Sequence, residues 1–226
     1  MIIKAILFDM DGTIIHSNSV WTAVIASLVG RKNVGLFYEI RSKTPGRGTL
    51  RTATILQSSF GMEGSLEEIG RIYEERTRDY FTRSSIDFIH GFHDFHKHLV
   101  TRNIPTSLVT NAPNYALDPL KINLALASFF GDHIYNSCTV NSTFKPDPAV
   151  LLHALDKLGI TADECIIFED SLEGTTAAKR AGIRCVGINS DDNLHELEQA
   201  DFIIQHYEGL TIEKILMGLA QSNQRA

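Results

Sequence analysis

An apolar run at the start of the chain ends abruptly in Asp9-Met10-Asp11-Gly12-Thr13, setting two carboxylates one residue apart. A plain turn uses such residues, because Asp and Gly suit tight backbone. A strand that delivers two carboxylates to the mouth of a pocket uses them for chemistry. Three more clusters put polar groups where apolar runs end or helices begin. They are Thr110-Asn111, Lys145-Pro146, and Glu169-Asp170 followed by Ser171 and Gly174. At one edge these would bring together at least three carboxylates, a lysine and a hydroxyl–amide pair. Such a set repels itself unless a cation sits within it. Oxygen-only ligands suit Mg²⁺, which keeps several waters and binds through one or two carboxylates plus a substrate phosphate.

The elements that must position these groups are legible in the apolar pattern. Short β-branched runs at 2–8, 104–110, 164–170, 183–188 and 201–205 read as strands, with 133–137 a weaker sixth. Helical spacing falls between them, at 92–102, 114–127, 147–158, 171–181 and 209–220. This alternation predicts an α/β fold, a doubly wound and mostly parallel Rossmann-like sheet with helices on both faces. Ligands of such sheets bind outside the carboxyl ends of the strands, where the polar clusters fall. One block breaks the rhythm. From about Ser17 to Arg83 only helix-like segments occur, 18–30, 33–41, 48–60 and 65–83, separated by Gly30, "TPGRG" and "GMEGS". This predicts an α/β core of residues 1–15 and 88–226 with an inserted α-helical domain, 16–87, and linkers near 14–17 and 84–91.

Four signatures in this order resemble the haloacid dehalogenase (HAD) superfamily of phosphotransferases. "DMDGT" is similar to its first motif, "TN" at 110–111 to its second, "KPDP" at 145–148 to its third and "FEDSLEG" at 168–174 to its fourth. The likeness runs from residue 2 through "ADFII" at 200–204. The helical block between the first two motifs resembles the group with a small α-helical cap, which includes phosphoglycolate phosphatase, β-phosphoglucomutase and phosphonoacetaldehyde hydrolase.

Chemistry and resemblance together imply the roles. Asp9 would attack phosphorus to give an aspartyl-phosphate. Asp11 would protonate the leaving oxygen and then take a proton from the water that cleaves the intermediate. Gly12 would let the chain pass close to the phosphoryl group. Mg²⁺ would be held by Asp9, the Asp11 backbone carbonyl and Asp170, with Glu169 either touching it or acting through water. Thr110 and the backbone of Asn111 would hydrogen-bond phosphate oxygens, and Lys145 would set a point charge against phosphate and Asp9. The fourth motif departs from the common GDxxxD form. Gly174 stands at the place of its second aspartate, and Glu169 precedes Asp170, as in the subgroup that includes β-phosphoglucomutase.

Plainer readings compete at several positions. Lys145 alone would be a surface lysine before a helix starting at Pro146 or Asp147, and Ser171 is an N-cap candidate. "HGFHDFHKH" (90–98) invites a metal reading, but with no second ligand cluster it predicts a solvated helix face near the hinge. The cap loop "TPGRGTLR" (44–51) is the expected place of substrate selection. There Arg47, between Gly46 and Gly48, offers a fork-shaped donor to an anionic substrate or is an arginine in a surface turn. His16 stands where many relatives carry Asp. Trp21 falls near the place of the mutase's cap histidine.

The expected activity is Mg²⁺-dependent hydrolysis of a small phosphorylated metabolite. The alternatives are a β-phosphoglucomutase-like mutase and phosphonate cleavage, for which Lys43 is the nearest Schiff-base lysine; a non-enzymatic binding protein is disfavoured. Bulk properties agree. The 226 residues are 43% hydrophobic and 21% charged, ordinary for a globular chain able to bury a core. A net charge of −6, with no Lys/Arg run, argues against nucleic acid. The apolar start stops too soon for a signal peptide or membrane span. Cys138, Cys165 and Cys185 lack any CxxC pairing and point to free thiols in a reducing cytoplasm. A monomer is the expected state.

Overall fold

The computed structural model describes residues 2–44, 47–190, 192 and 194–222; Gly46, expected to flank Arg47, lies outside them. Six strands form: β1 (Ala5–Phe8), β2 (Thr106–Thr110), β3 (Ile134–Asn136), β4 (Cys165–Glu169), β5 (Arg184–Ile188) and β6 (Phe202–Ile204). The helices are α1 (Asn18–Val29), α2 (Val34–Lys43), α3 (Gly48–Phe60), α4 (Leu66–Arg83) and α5 (Phe92–Thr101). They continue with α6 (Asn114–Asn123), α7 (Ala127–Phe130), α8 (Ala149–Leu158), α9 (Leu172–Ala181) and α10 (Ile212–Ser222). Two compact units result, Met1–His16 with Ile86–Ala112 and Leu126–Ala226, and Ser17–Ser85 with Pro113–Ala125. Residues 113–125, expected in the α/β core, therefore group with the helical unit. Among the described residues no helix is long and apolar enough to cross a membrane.

In the α/β unit the six strands pair in parallel throughout and their order is β3-β2-β1-β4-β5-β6. β1, β2 and β4 are buried along their whole length, as strands covered on both faces must be. Alternate residues serve opposite faces. Leu7, Val109 and Ile167 pack with Val150, Leu151, Ala154, Ala177 and Ala178 of α8 and α9. On the other face Phe8 stacks on Phe168, ring centroids 5.1 Å apart, and meets Phe92 and Phe95 of α5 edge-on. Chain order reverses across β1, so the crevice beyond its carboxyl end is the switch point of the sheet.

α5 corrects one expectation. Its buried residues are Phe92, Phe95, His96 and Leu99, the i, i+3, i+4, i+7 stripe of a core-facing helix. His96 belongs to that stripe and is not on a solvated face. Its Nε2 lies 3.0 Å from Thr106 Oγ1, and Thr106 in turn donates to Phe129 O. Burial holds the imidazole below its usual pKa, toward the neutral form.

The helical unit is closed by local signals. α4 begins with a reciprocal capping box, in which Ser65 Oγ accepts from Glu68 N and the Glu68 side chain accepts from Ser65 N. α3 ends at Gly61 in the left-handed conformation, which glycine adopts without strain. Asn123 of α6 donates to the carbonyls of Phe81 and Thr82, which fastens the late segment to the end of α4. Trp21 packs edge-on against Phe81.

Candidate active site

Asp9 continues the line of β1 by one residue, its N–H donating to Phe168 O at 3.0 Å. The chain then turns on itself. Met10 O accepts from the amides of Thr13, Ile14 and Ile15, and Gly12 N donates to Ile15 O. Gly12 has φ 74°, and a Cβ there would fall on the Asp170 carboxylate. Glycine is thus required twice over, for the backbone angle and for the neighbour. Two distant side chains fasten the turn: Ser190 Oγ donates to Gly12 O at 2.8 Å, and Tyr207 OH to Thr13 O at 2.9 Å.

Lys145 reaches this point from the irregular stretch before α8. It is 2% exposed, and its ammonium donates to Asp9 Oδ1 at 2.7 Å, Glu169 Oε1 at 2.5 Å and Val109 O at 2.7 Å. The surface-lysine reading is therefore excluded. The adjoining helix also begins later than expected, at Ala149, because Asp147 Oδ1 caps the Ala149 amide at 2.9 Å instead of entering the helix.

Asp9, Glu169 and Asp170 each offer a carboxylate oxygen, all within 4.8 Å of one another. Burial pushes the Asp9 carboxyl up, against the pull of Lys145. Burial likewise lifts Glu169, to about 8, with Lys145 opposing and Asp9 adding to the rise. Asp170 is raised well above the carboxylate range by burial, then by the charges of Asp9, Glu169 and Asp11. Lys145 stays charged: burial works against it, but Asp9 and Glu169 outweigh that and raise its pKa. Lys145 thus faces two buried carboxylates with the half-buried Asp170 beside them, and among the described residues Glu169 Oε2 is buried with no hydrogen-bond partner. Excess negative charge, oxygen donors and an orphaned carboxylate oxygen together fit a divalent cation.

The departure in the fourth motif has a steric logic. A Cβ at Gly174 would overlap the Glu169 carboxylate. The glutamate side chain fills the room that a side chain at 174 would need. Ser171 caps α9, its Oγ accepting from Gly174 N at 3.1 Å.

Thr110 ends β2, and its hydroxyl accepts from Ala112 N at 3.0 Å, which leaves its own hydrogen to donate. Asn111 directs its side chain to the Lys145 main chain, with Oδ1 accepting from Lys145 N at 2.8 Å. The structure thus brings Asp9, Lys145, Glu169 and Asp170 together, with Asn111 bonded to the Lys145 main chain, Thr110 at the end of the neighbouring strand β2, and Asp11 close enough to Asp170 to raise its pKa. Arg47 lies in the helical unit, exposed at the start of α3. Sequence reasoning missed Ser190, Tyr207 and the side-chain role of Asn111. It expected buried strand thiols: Cys165 and Cys185 are buried and free, burial pushing Cys165 up to about 12, while Cys138 is exposed.

A family model described as a haloacid dehalogenase-like hydrolase matches residues 3–182. The chain belongs to that family and is a hydrolase of the phosphatase type. It is 27% identical over 221 residues to phosphoglycolate phosphatase of Pectobacterium atrosepticum, covering 91% of this chain and 89% of the relative. It is 28% identical over 204 residues to validoxylamine A 7′-phosphate phosphatase of Streptomyces hygroscopicus subsp. limoneus, covering 89% and 93%. Its fold is similar to that of CbbY from Rhodobacter sphaeroides in complex with phosphate, at TM-score 0.73 and 24% identity over 91% of this chain and 95% of that one. β-Phosphoglucomutase from Clostridium difficile gives a TM-score of 0.74 at 22% identity, over 97% and 98%.

Proposed function

We propose that this phosphatase hydrolyses a small phosphomonoester through an aspartyl-phosphate on Asp9, with Mg²⁺ as cofactor. The observation that carries the reading is the buried Lys145 shared between Asp9 and Glu169, with a carboxylate oxygen of Asp170 within 4.8 Å of theirs. Carboxylates gathered this closely favour a divalent cation, and the cation with Lys145 would in turn draw an anionic phosphate.

An Asp9 carboxylate oxygen attacks phosphorus while the ester P–O bond breaks. Asp11, two residues on and more exposed than Asp9, gives its proton to the departing oxygen. It then takes a proton from the incoming water, whose oxygen attacks phosphorus and releases Asp9. The Thr110 hydroxyl and the Asn111 main-chain N–H bind phosphoryl oxygens. Lys145 holds Asp9 in place and offsets charge on the phosphoryl group as it transfers. Asp9, Asp170, Glu169 and the Asp11 carbonyl would hold Mg²⁺, which when bound shields the anionic nucleophile from the anionic phosphate.

The named activities of the relatives, on phosphoglycolate, validoxylamine A 7′-phosphate and 6-phosphogluconate, support a small phosphorylated metabolite as substrate. Arg47 is the proposed selector in the helical unit. Two alternatives lose support. Lys43 is exposed and ion-paired with Glu39, whereas a Schiff-base lysine needs a desolvated amine. At the place of the mutase's cap histidine, Trp21 packs against Phe81.

Turnover of p-nitrophenyl phosphate tests the reading. Asp9→Asn should lower it at least about a thousandfold with an unchanged circular dichroism spectrum, and EDTA should stop the wild type. Equal rates for Asp9→Asn and wild type, or full activity without divalent metal, would overturn the respective assignment.

A further inference from the structure

Lys145 makes a strict geometric demand. Its ammonium meets three acceptors at 2.5 to 2.7 Å from the end of a flexible four-carbon stem. Yet the backbone that carries it belongs to no helix or strand, lying between a 3₁₀ turn (Ser137–Val140) and α8. An ammonium at the end of such a stem keeps three partners only if its Cα is held.

Asn111 supplies that hold. Its Oδ1 accepts from Lys145 N at 2.8 Å, and its Nδ2 donates to Lys145 O at 3.4 Å. A carboxamide carries the same donor and acceptor as a peptide group. The side chain therefore pairs with the Lys145 backbone as a neighbouring strand would, at a point where the sheet offers none. Asn111 is itself anchored one residue past β2. Ser137 Oγ donates to its carbonyl at 3.5 Å, and Asn136 Nδ2 donates to Ala112 O at 3.0 Å.

We infer that the Asn111 side chain is a positioning residue: by pairing with the Lys145 main chain it fixes the ammonium between Asp9 and Glu169. This role is separate from any contact its own main-chain N–H makes with phosphate, and it rests on the function proposed above for Lys145. Asn suits the task because both halves of the amide are used. Asp keeps the acceptor and loses the donor, Ala loses both, and Gln is a methylene too long.

A double-mutant cycle on the full chain tests this. Asn111→Ala should lower kcat about 30-fold while KM moves less than about threefold, the signature of a misplaced rather than a missing group. In a Lys145→Ala background the same change should lower kcat by less than about threefold, because nothing remains to position. Asn111→Asp should fall between wild type and Asn111→Ala, and it replaces Asn111→Ala in the cycle if the alanine variant melts below assay temperature. If Lys145→Ala is too slow to follow, Lys145→Arg takes its place; its guanidinium does not reproduce the three ammonium contacts, so the loss on Asn111→Ala should again be smaller than in the wild type. Equal losses in both backgrounds, a loss confined to KM, or an unchanged kcat for Asn111→Ala beside an inactive Lys145→Ala would overturn the inference. A fully active Lys145→Ala would instead overturn the role proposed for the lysine itself.

Discussion

The α/β unit and the helical unit both bury polar groups, but the carboxylates of the first and the hydroxyls of the second are finished differently. In the helical unit Thr49 Oγ1 donates to Glu74 Oε1 at 2.8 Å and lies 3.1 Å from Tyr115 OH, which is left to act as the donor. Thr77 turns back to Tyr73 O within α4. These hydroxyls are satisfied by neighbours in their own unit, and burial pushes the Tyr115 phenol further from ionisation. In the α/β unit one lysine faces three carboxylates, and among the described residues a buried carboxylate oxygen has no partner. Polar burial that closes on itself is architecture. Polar burial left with uncompensated charge calls for a ligand.

The largest effect should separate the two units outright. Lys145→Ala leaves Asp9 and Glu169 buried without their counter-charge. It should lower turnover by about a thousandfold or more and destabilise the metal-free protein by about 3–5 kcal/mol in urea melts at neutral pH. Thr49→Val removes a hydroxyl from between the half-buried Glu74 and the buried Tyr115, and should cost about 1–2 kcal/mol. Similar losses for the two variants would dissolve the contrast.

A subtler change sharpens it. Gly174→Ala puts a methyl where the Glu169 carboxylate now lies, so Mg²⁺ affinity by titration calorimetry should drop about 10- to 100-fold. Unaltered affinity would show that Glu169 has no part in holding the cation.

The smallest effect is a trend with pH. The Glu169 carboxyl titrates near 8 in the folded, metal-free protein and Asp170 is raised as well, both above their unfolded values. The folded form therefore retains protons that the unfolded chain has already released. Metal-free stability should decline as pH rises from about 4.5 toward 8. Mg²⁺ binds the deprotonated set, so its stabilising shift in Tm should be several degrees larger at pH 8 than at pH 6. A shift that shrinks over that range would contradict the ionisation described here.

Much of this contrast was legible in the sequence, for a physical reason. Asp9, Glu169 and Asp170 stand out because a charged residue ending an apolar run has few structural excuses, and Thr110 because it follows Leu108 and Val109 at a strand end. Lys145 did not stand out in that way; its neighbours Pro146 and Asp147 would suit an ordinary helix start, and only its place between the other clusters marked it. The contacts of Ser190 with Gly12 and of Tyr207 with Thr13 span 178 and 194 positions. No local pattern marks either residue. Residues 113–125 show a helical pattern, but whether that helix joins one unit or the other is decided by tertiary packing. His96 was available in principle, since it completes the spacing of Phe92, Phe95 and Leu99; its polarity hid the stripe.

The central claim is that Asp9 carries the phosphoryl group during turnover. Acid quench of the wild-type enzyme with a saturating phosphomonoester and Mg²⁺, followed by peptide mass spectrometry, tests it most directly. The account predicts one phosphoryl group on the peptide containing Asp9, lost on treatment with hydroxylamine and absent from Asp9→Asn. Active turnover with that peptide unmodified at every quench time, or with the phosphoryl group on another side chain, would contradict it.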